Sequence, residues 1–136
     1  MRIAFLTAMA VTLYVGNARA DGWKLDADVD ACLQSDTMAV QEMYDCLGKL
    51  VQSSNVKLTA TFEKAISRLD PASKTKLVVA EDAFYAYWRL NVEANHGPWR
   101  QGTEHSSREL AAMVNAITSA RERSNELFRL YVDRDQ

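Results

Sequence analysis

Residues 43–71, MYDCLGKLVQSSNVKLTATFEKAISRLDP, decide the fold. Met43, Leu47, Leu50, Leu58, Phe62, Ala65 and Leu69 recur largely at steps of three or four, which keeps one face of a helix apolar. Ser54 falls on the same stripe, and Ser53-Ser54-Asn55 is its softest point. Asp70-Pro71 ends this helix and begins the next. The aspartate can cap, and a proline at the first helical position gives up no hydrogen bond.

Downstream the helical period continues. Leu77, Ala80, Phe84, Tyr87, Leu90 and Ala94 fall along one side of a second helix, which stops at the breakers Asn95-His96-Gly97-Pro98. Thr103 is the expected N-cap of a third helix. There Leu110, Met113, Ile117, Ala120, Ser124, Leu127 and Tyr131 alternate steps of three and four, a bundle-type stripe. No segment alternates β-branched and polar residues over a useful length, so no strand is expected. The pattern predicts an all-α fold: an antiparallel bundle of three long helices, with residues 21–36 crossing it as a short helix or loop.

Upstream, residues 1–20 read as a secretory signal peptide. Arg2 precedes an apolar run from Ile3 to Val15, and Ala18-Arg19-Ala20 offers small residues where a signal peptidase cuts. The run is shorter than the roughly 20 residues of a membrane span. The expected mature chain, residues 21–136, is long enough for a single domain. It is expected to be periplasmic or secreted, with no membrane anchor after cleavage. Of 16 basic residues Arg2 and Arg19 leave with the leader, so 14 face 18 acidic ones and the net charge is −4. Such a balance argues against nucleic-acid binding, which needs a basic excess, and suits a cationic protein partner.

Cys32 and Cys46 are the only cysteines. In an exported chain such a pair is expected as a disulfide in preference to two buried free thiols. On one continuous helix they would lie about 21 Å apart, beyond disulfide reach. The chain must therefore turn back at Ser35-Asp36-Thr37, with Asp36 or Thr37 capping the long helix.

Taken in order, Cys32, Glu42-Met43, Cys46, Leu58 and Phe62 resemble the LprI-like lysozyme-inhibitor family, small exported bacterial proteins related to the N-terminal domain of LprI. Ala80-Glu81-Asp82-Ala83-Phe84 with Tyr87 is similar to that family's second helix, and Arg123, Glu126 and Leu127 to its last. Many members carry a second cysteine pair. The corresponding positions here fall near Val92 and Asn115, so the resemblance implies loss of a whole bridge. It also implies a helical binding protein that blocks a cell-wall-degrading enzyme such as a cationic lysozyme.

Several motifs fall short of chemistry. Asp26, Asp28 and Asp30 open like a calcium loop, but Ala31 replaces the turn glycine and Thr37 the bidentate glutamate. A solvated acidic segment is expected instead. Glu93 and His96 have di-iron spacing, yet two histidines in the chain, His96 and His105, cannot complete such a site. His105 beside Ser106 and Ser107 is no catalytic triad. No metal, cofactor or enzymatic activity is expected. The best candidates for recognition are Trp99 and Arg100, in the loop 97–102, extended by Trp88 and Arg89, since Trp and Arg often anchor interfaces. Trp99 packed back onto the end of the bundle is the plain alternative. Besides an inhibitor, the sequence is compatible with a periplasmic immunity protein against a secreted toxin or with a structural envelope adaptor.

Overall fold

The computed structural model describes residues 24–34, 36–95 and 105–133, and all its regular elements are helical. They are α1 (Ala27–Cys32), α2 (Val40–Ser67), α3 (Pro71–Asn95) and α4 (His105–Leu127), the last continued by a π-helical turn (Phe128–Val132). The signal-peptide segment, Trp99, Arg100 and Thr103 lie outside the described residues.

The pair α2 and α4 forms the body of the bundle. Their cross-links rise together along both chains, so the two helices run parallel. Tyr44 donates to Glu109 at 2.8 Å, Arg121 to the Ser54 hydroxyl at 3.3 Å, Thr61 and Ser124 share a 2.9 Å bond, and Arg68 donates to the Val132 carbonyl at 2.6 Å. Helix α3 runs back between them, and the bundle has the expected up-down-up course. Ser53 to Asn55 does not interrupt α2, because the buried Ser54 hydroxyl finds its partner in Arg121.

The core divides into two apolar clusters. One gathers Leu47, Val114 and Ile117 with Val29 and Cys32 of α1; the other gathers Leu58, Ala65, Ala120 and Leu127 with Leu77 of α3 and Val132. Leu47, Ile117 and Leu127 are wholly buried, each worth about 1.5–3 kcal/mol of transfer free energy. The α4 stripe holds as expected until its last member. There the π turn adds a residue, the Asp133 N–H reaching the Phe128 carbonyl at 2.8 Å. One extra residue rotates the chain, so Val132 is the buried residue there while Tyr131 packs half-buried against the same cluster.

Two local expectations hold. Asp70 caps α3, accepting from the Ala72 and Ser73 N–H groups at 3.0 Å each. Cys32 and Cys46 are bonded with Cα atoms 5.5 Å apart, the chain reversing through Thr37 and Met38, whose N–H groups donate to the Gln34 carbonyl. Neither Asp36 nor Thr37 caps α2, however. The helix starts after Ala39, whose N–H donates to the Glu42 carboxylate at 2.8 Å; the glutamate reaches back and does the work a cap would do.

The acidic segment also differs from expectation. Arg121 forks onto Asp28 at 2.6 and 2.9 Å and holds Asp26 at 2.6 Å. Instead of being merely solvated, two of the three aspartates pin the N-terminal segment to α4. This ion pair lowers the Asp28 pKa, mainly through the Arg121 hydrogen bond.

Because that pKa is depressed on folding, the contribution is complete above the ordinary aspartate value of about 3.9 and is lost as pH falls through the lower folded value. Protection of the α1 amides, measured as exchange relative to the intrinsic rate at each pH, should therefore hold down to about pH 4 and fall below it, a step that R121A should abolish. Replacing both cysteines by serine opens a loop of about 15 residues and should lower stability by about 3 kcal/mol in urea unfolding.

Candidate functional site

Helix α3 is fastened to α4 near its start and stands away from its neighbours further on. Leu77 and Glu81 are its only buried residues among those described, and Phe84 packs against the Leu58–Leu127 cluster. The Glu81 carboxylate accepts from Arg123 Nε at 2.9 Å, and Arg123 Nη2 lies 2.9 Å from the same oxygen. Arg123 also donates to Glu126 at 2.7 Å and lies 5.6 Å above the centre of the Phe84 ring. Both side chains of the pair are largely hidden, at 7% exposure for Glu81 and 13% for Arg123. Burial works against the Arg123 charge, yet the hydrogen bonds it donates to Glu126 and Glu81 raise its pKa overall. The second Glu81 oxygen, Oε1, is buried without a hydrogen-bond partner, so the ion pair is tightly placed but not fully satisfied.

This latch rotates α3 relative to the expected stripe. The inward face carries Leu77, Glu81, Phe84, Trp88 and Val92, whereas Ala80, Tyr87, Leu90 and Ala94 are exposed. Periodicity could not settle the choice, because α3 is apolar on more than one side. A buried charge pair is costly to break, and it fixes which side faces in.

Past Phe84 a cleft opens around Trp88. On the α2 side Gly48, Val51, Ala112, Met113 and Ala116 line with Trp88 and Val92 an open depression of about 290 Å³ with almost entirely apolar walls. It is continued by one of about 230 Å³ reaching Phe84, Tyr85 and Leu58. On the α4 side a larger opening of about 480 Å³ lies between Tyr87, Asn91 and Trp88 and the facing Asn115, Ser119 and Glu122. The cleft exists because the residues opposite the indole are small. A Cβ added at Gly48 would meet Met113 at 3.8 Å, an ordinary contact, so the glycine leaves room instead of permitting a close helix approach.

Of the recognition residues expected from sequence, Trp88 and Arg89 lie among the described residues, and they face different ways. Trp88 is half-buried and faces the cleft; Arg89, its neighbour, points outward at 71% side-chain exposure and lies 3.8 Å from Glu93. Adjacent positions on a helix do not share a face. Trp99 and Arg100 are outside the described residues. Sequence reading gave Arg121 no role, and it placed Glu81 and Arg123 only as positions of the family resemblance, not as partners. For Glu81 a signal was present, since it lies four residues after Leu77 and three before Phe84, a charge on an apolar face. For the inter-helix pairing of the arginines no spacing gave a signal, because Glu81 lies 42 residues from Arg123 and Asp26 95 residues from Arg121. Asp26 and Asp28 offer no cation site, being occupied by a guanidinium. Among the described residues, no group of three or more His, Cys, Asp or Glu side chains could hold a metal ion.

R123A would leave Glu81 buried without a counter-charge and should cost about 3–5 kcal/mol in urea unfolding. E81Q should cost less, because Arg123 keeps Glu126 as a partner. No protein-family model, curated protein or solved structure matches this chain, so a role for the cleft rests on its own residues and geometry.

Proposed function

We propose that this chain is an exported binding protein that blocks a cell-wall-degrading enzyme, in the manner of the lysozyme inhibitors its sequence resembles. The observation that carries this reading is the Trp88 cleft. It is a preformed opening with one apolar side, one polar side and an aromatic side chain between them, the kind of pocket that receives an anchoring side chain from a partner. The acidic balance of the chain favours encounter with a cationic enzyme. The Cys32–Cys46 disulfide suits an oxidising compartment such as a periplasm, and no helix among the described residues is long and apolar enough to cross a membrane. The charged groups with the clearest structural engagements, Asp28, Arg121, Glu81 and Arg123, are tied into ion pairs that hold helices together.

A structural envelope adaptor is the second reading, and the apolar lining of the cleft is what favours it. An adaptor would hold apolar segments of several envelope proteins without inhibiting any enzyme.

In a cell-wall lysis assay with C-type lysozyme, the oxidised protein should inhibit stoichiometrically, and inhibition should weaken as salt screens the charges. W88A should reduce affinity by about tenfold or more, as expected for a buried aromatic anchor, with the circular-dichroism spectrum unchanged. Absence of binding at low salt would eliminate the inhibitor reading.

A further inference from the structure

The outward face of α3 carries a second apolar stripe, opposite the Glu81 and Trp88 side. Val79, Ala83, Ala86 and Leu90 follow one another at alternating steps of four and three, and the same rhythm places Lys76 before them and Glu93 after. This is the heptad spacing of a coiled-coil seam. Val79 is 62% and Leu90 58% exposed; Lys76, Ala83, Ala86 and Glu93 are exposed as well. A helix already packed on one side gains nothing for the monomer from such a second stripe.

We propose that this face pairs with its equivalent on a second copy of the chain, the two α3 helices lying antiparallel across a two-fold axis between Ala83 and Ala86. The seam is self-complementary in that register, as an isologous interface requires. Ala83 meets Ala86 of the partner subunit, so the helices approach closely at the axis. Val79 meets the partner subunit's Leu90 on either side of it. At the ends Lys76 meets the partner subunit's Glu93, an opposite-charge pair that occurs twice by symmetry.

The flanks agree. In an antiparallel pair each flank faces its own kind, and side chains lean toward their own N-termini. That sets Asp82 beside the partner subunit's Arg89 on one flank, and the small Ala80 beside the partner subunit's Tyr87 on the other. A parallel pairing would instead stack Lys76 on Lys76 of the partner subunit and Glu93 on the partner subunit's Glu93. Charge complementarity therefore selects both the partner and its direction. A single helix pair buries less than about 1,200 Å² in total, the range of reversible association; Tyr87 borders both the seam and the cleft, and the apolar side of the cleft, against Gly48 and Val51, faces the other way and stays open in the dimer.

Sedimentation equilibrium on protein purified from the periplasm, from micromolar to near-millimolar concentration, tests the proposal. The wild type should show a monomer–dimer equilibrium, and A83R should abolish it while circular dichroism and the thermal midpoint stay those of the wild type. K76E and E93K should each raise the dissociation constant roughly tenfold, two symmetry-related pairs being reversed at once. The double variant K76E/E93K should restore it. A wild type that remains monomeric throughout, a dimer indifferent to A83R, or a double variant no tighter than either single one would each overturn the proposal.

Discussion

The ion pair between Glu81 and Arg123 sets the rotation of α3, and most of what distinguishes the molecule follows from that rotation. With Glu81 turned inward, Leu77 and Phe84 reach the core beside it, and Trp88 and Val92 are carried toward α2 and α4 one and two turns later. Burial of two charges is tolerated because the guanidinium has three partners at once: Glu81, Glu126 and the face of Phe84. Its orientation is thereby restricted more than an apolar contact could restrict it. The unpartnered Glu81 Oε1 is the residual cost of that arrangement.

A second polar device fixes the α2–α4 pair. Two parallel helices with apolar faces could slide past one another by a turn at small cost, since Leu and Ile contacts are not directional. Ser54 and Ser124 are buried, and each has a partner on the opposite helix, Arg121 and Thr61 respectively. A shift of one turn would strand both hydroxyls away from water, which is unfavourable. Arg121 serves twice, since the guanidinium that meets Ser54 also holds Asp26 and Asp28. The register of the main helix pair and the position of the N-terminal segment are thus linked through one side chain, while the disulfide holds α1 to α2 independently.

Helix α3 then has two apolar sides with different fates. One is latched at Glu81 and flares into the Trp88 cleft, where Gly48, Ala112 and Ala116 are too small to fill the space. The other faces outward with Val79, Ala83, Ala86 and Leu90. The two faces are separated by about half a turn of helix with Tyr87 on the border between them, so the side of the cleft against Gly48 and Val51 stays accessible when the outward face is paired.

Much of the fold was legible in the order of residues. The stripe from Met43 to Leu69 specifies a long helix, Asp70-Pro71 specifies the break after it, and the stripe from Leu110 to Leu127 specifies its packing partner, because each depends on local period and local backbone chemistry. The Cys32–Cys46 bridge and the reversal before Val40 were legible for the same reason: a helix cannot bring residues fourteen positions apart into contact. What sequence alone could not determine was the phase of α3 and the engagement of Asp26 and Asp28. Each depends on a charge supplied by α4, from 42 to 95 residues away along the chain. Pattern reading ranks side chains by polarity and period, and it places a glutamate in water by default. Only the tertiary structure brought Arg123 to Glu81 and Arg121 to the aspartates, making a buried charge more favourable at those positions than an exposed one.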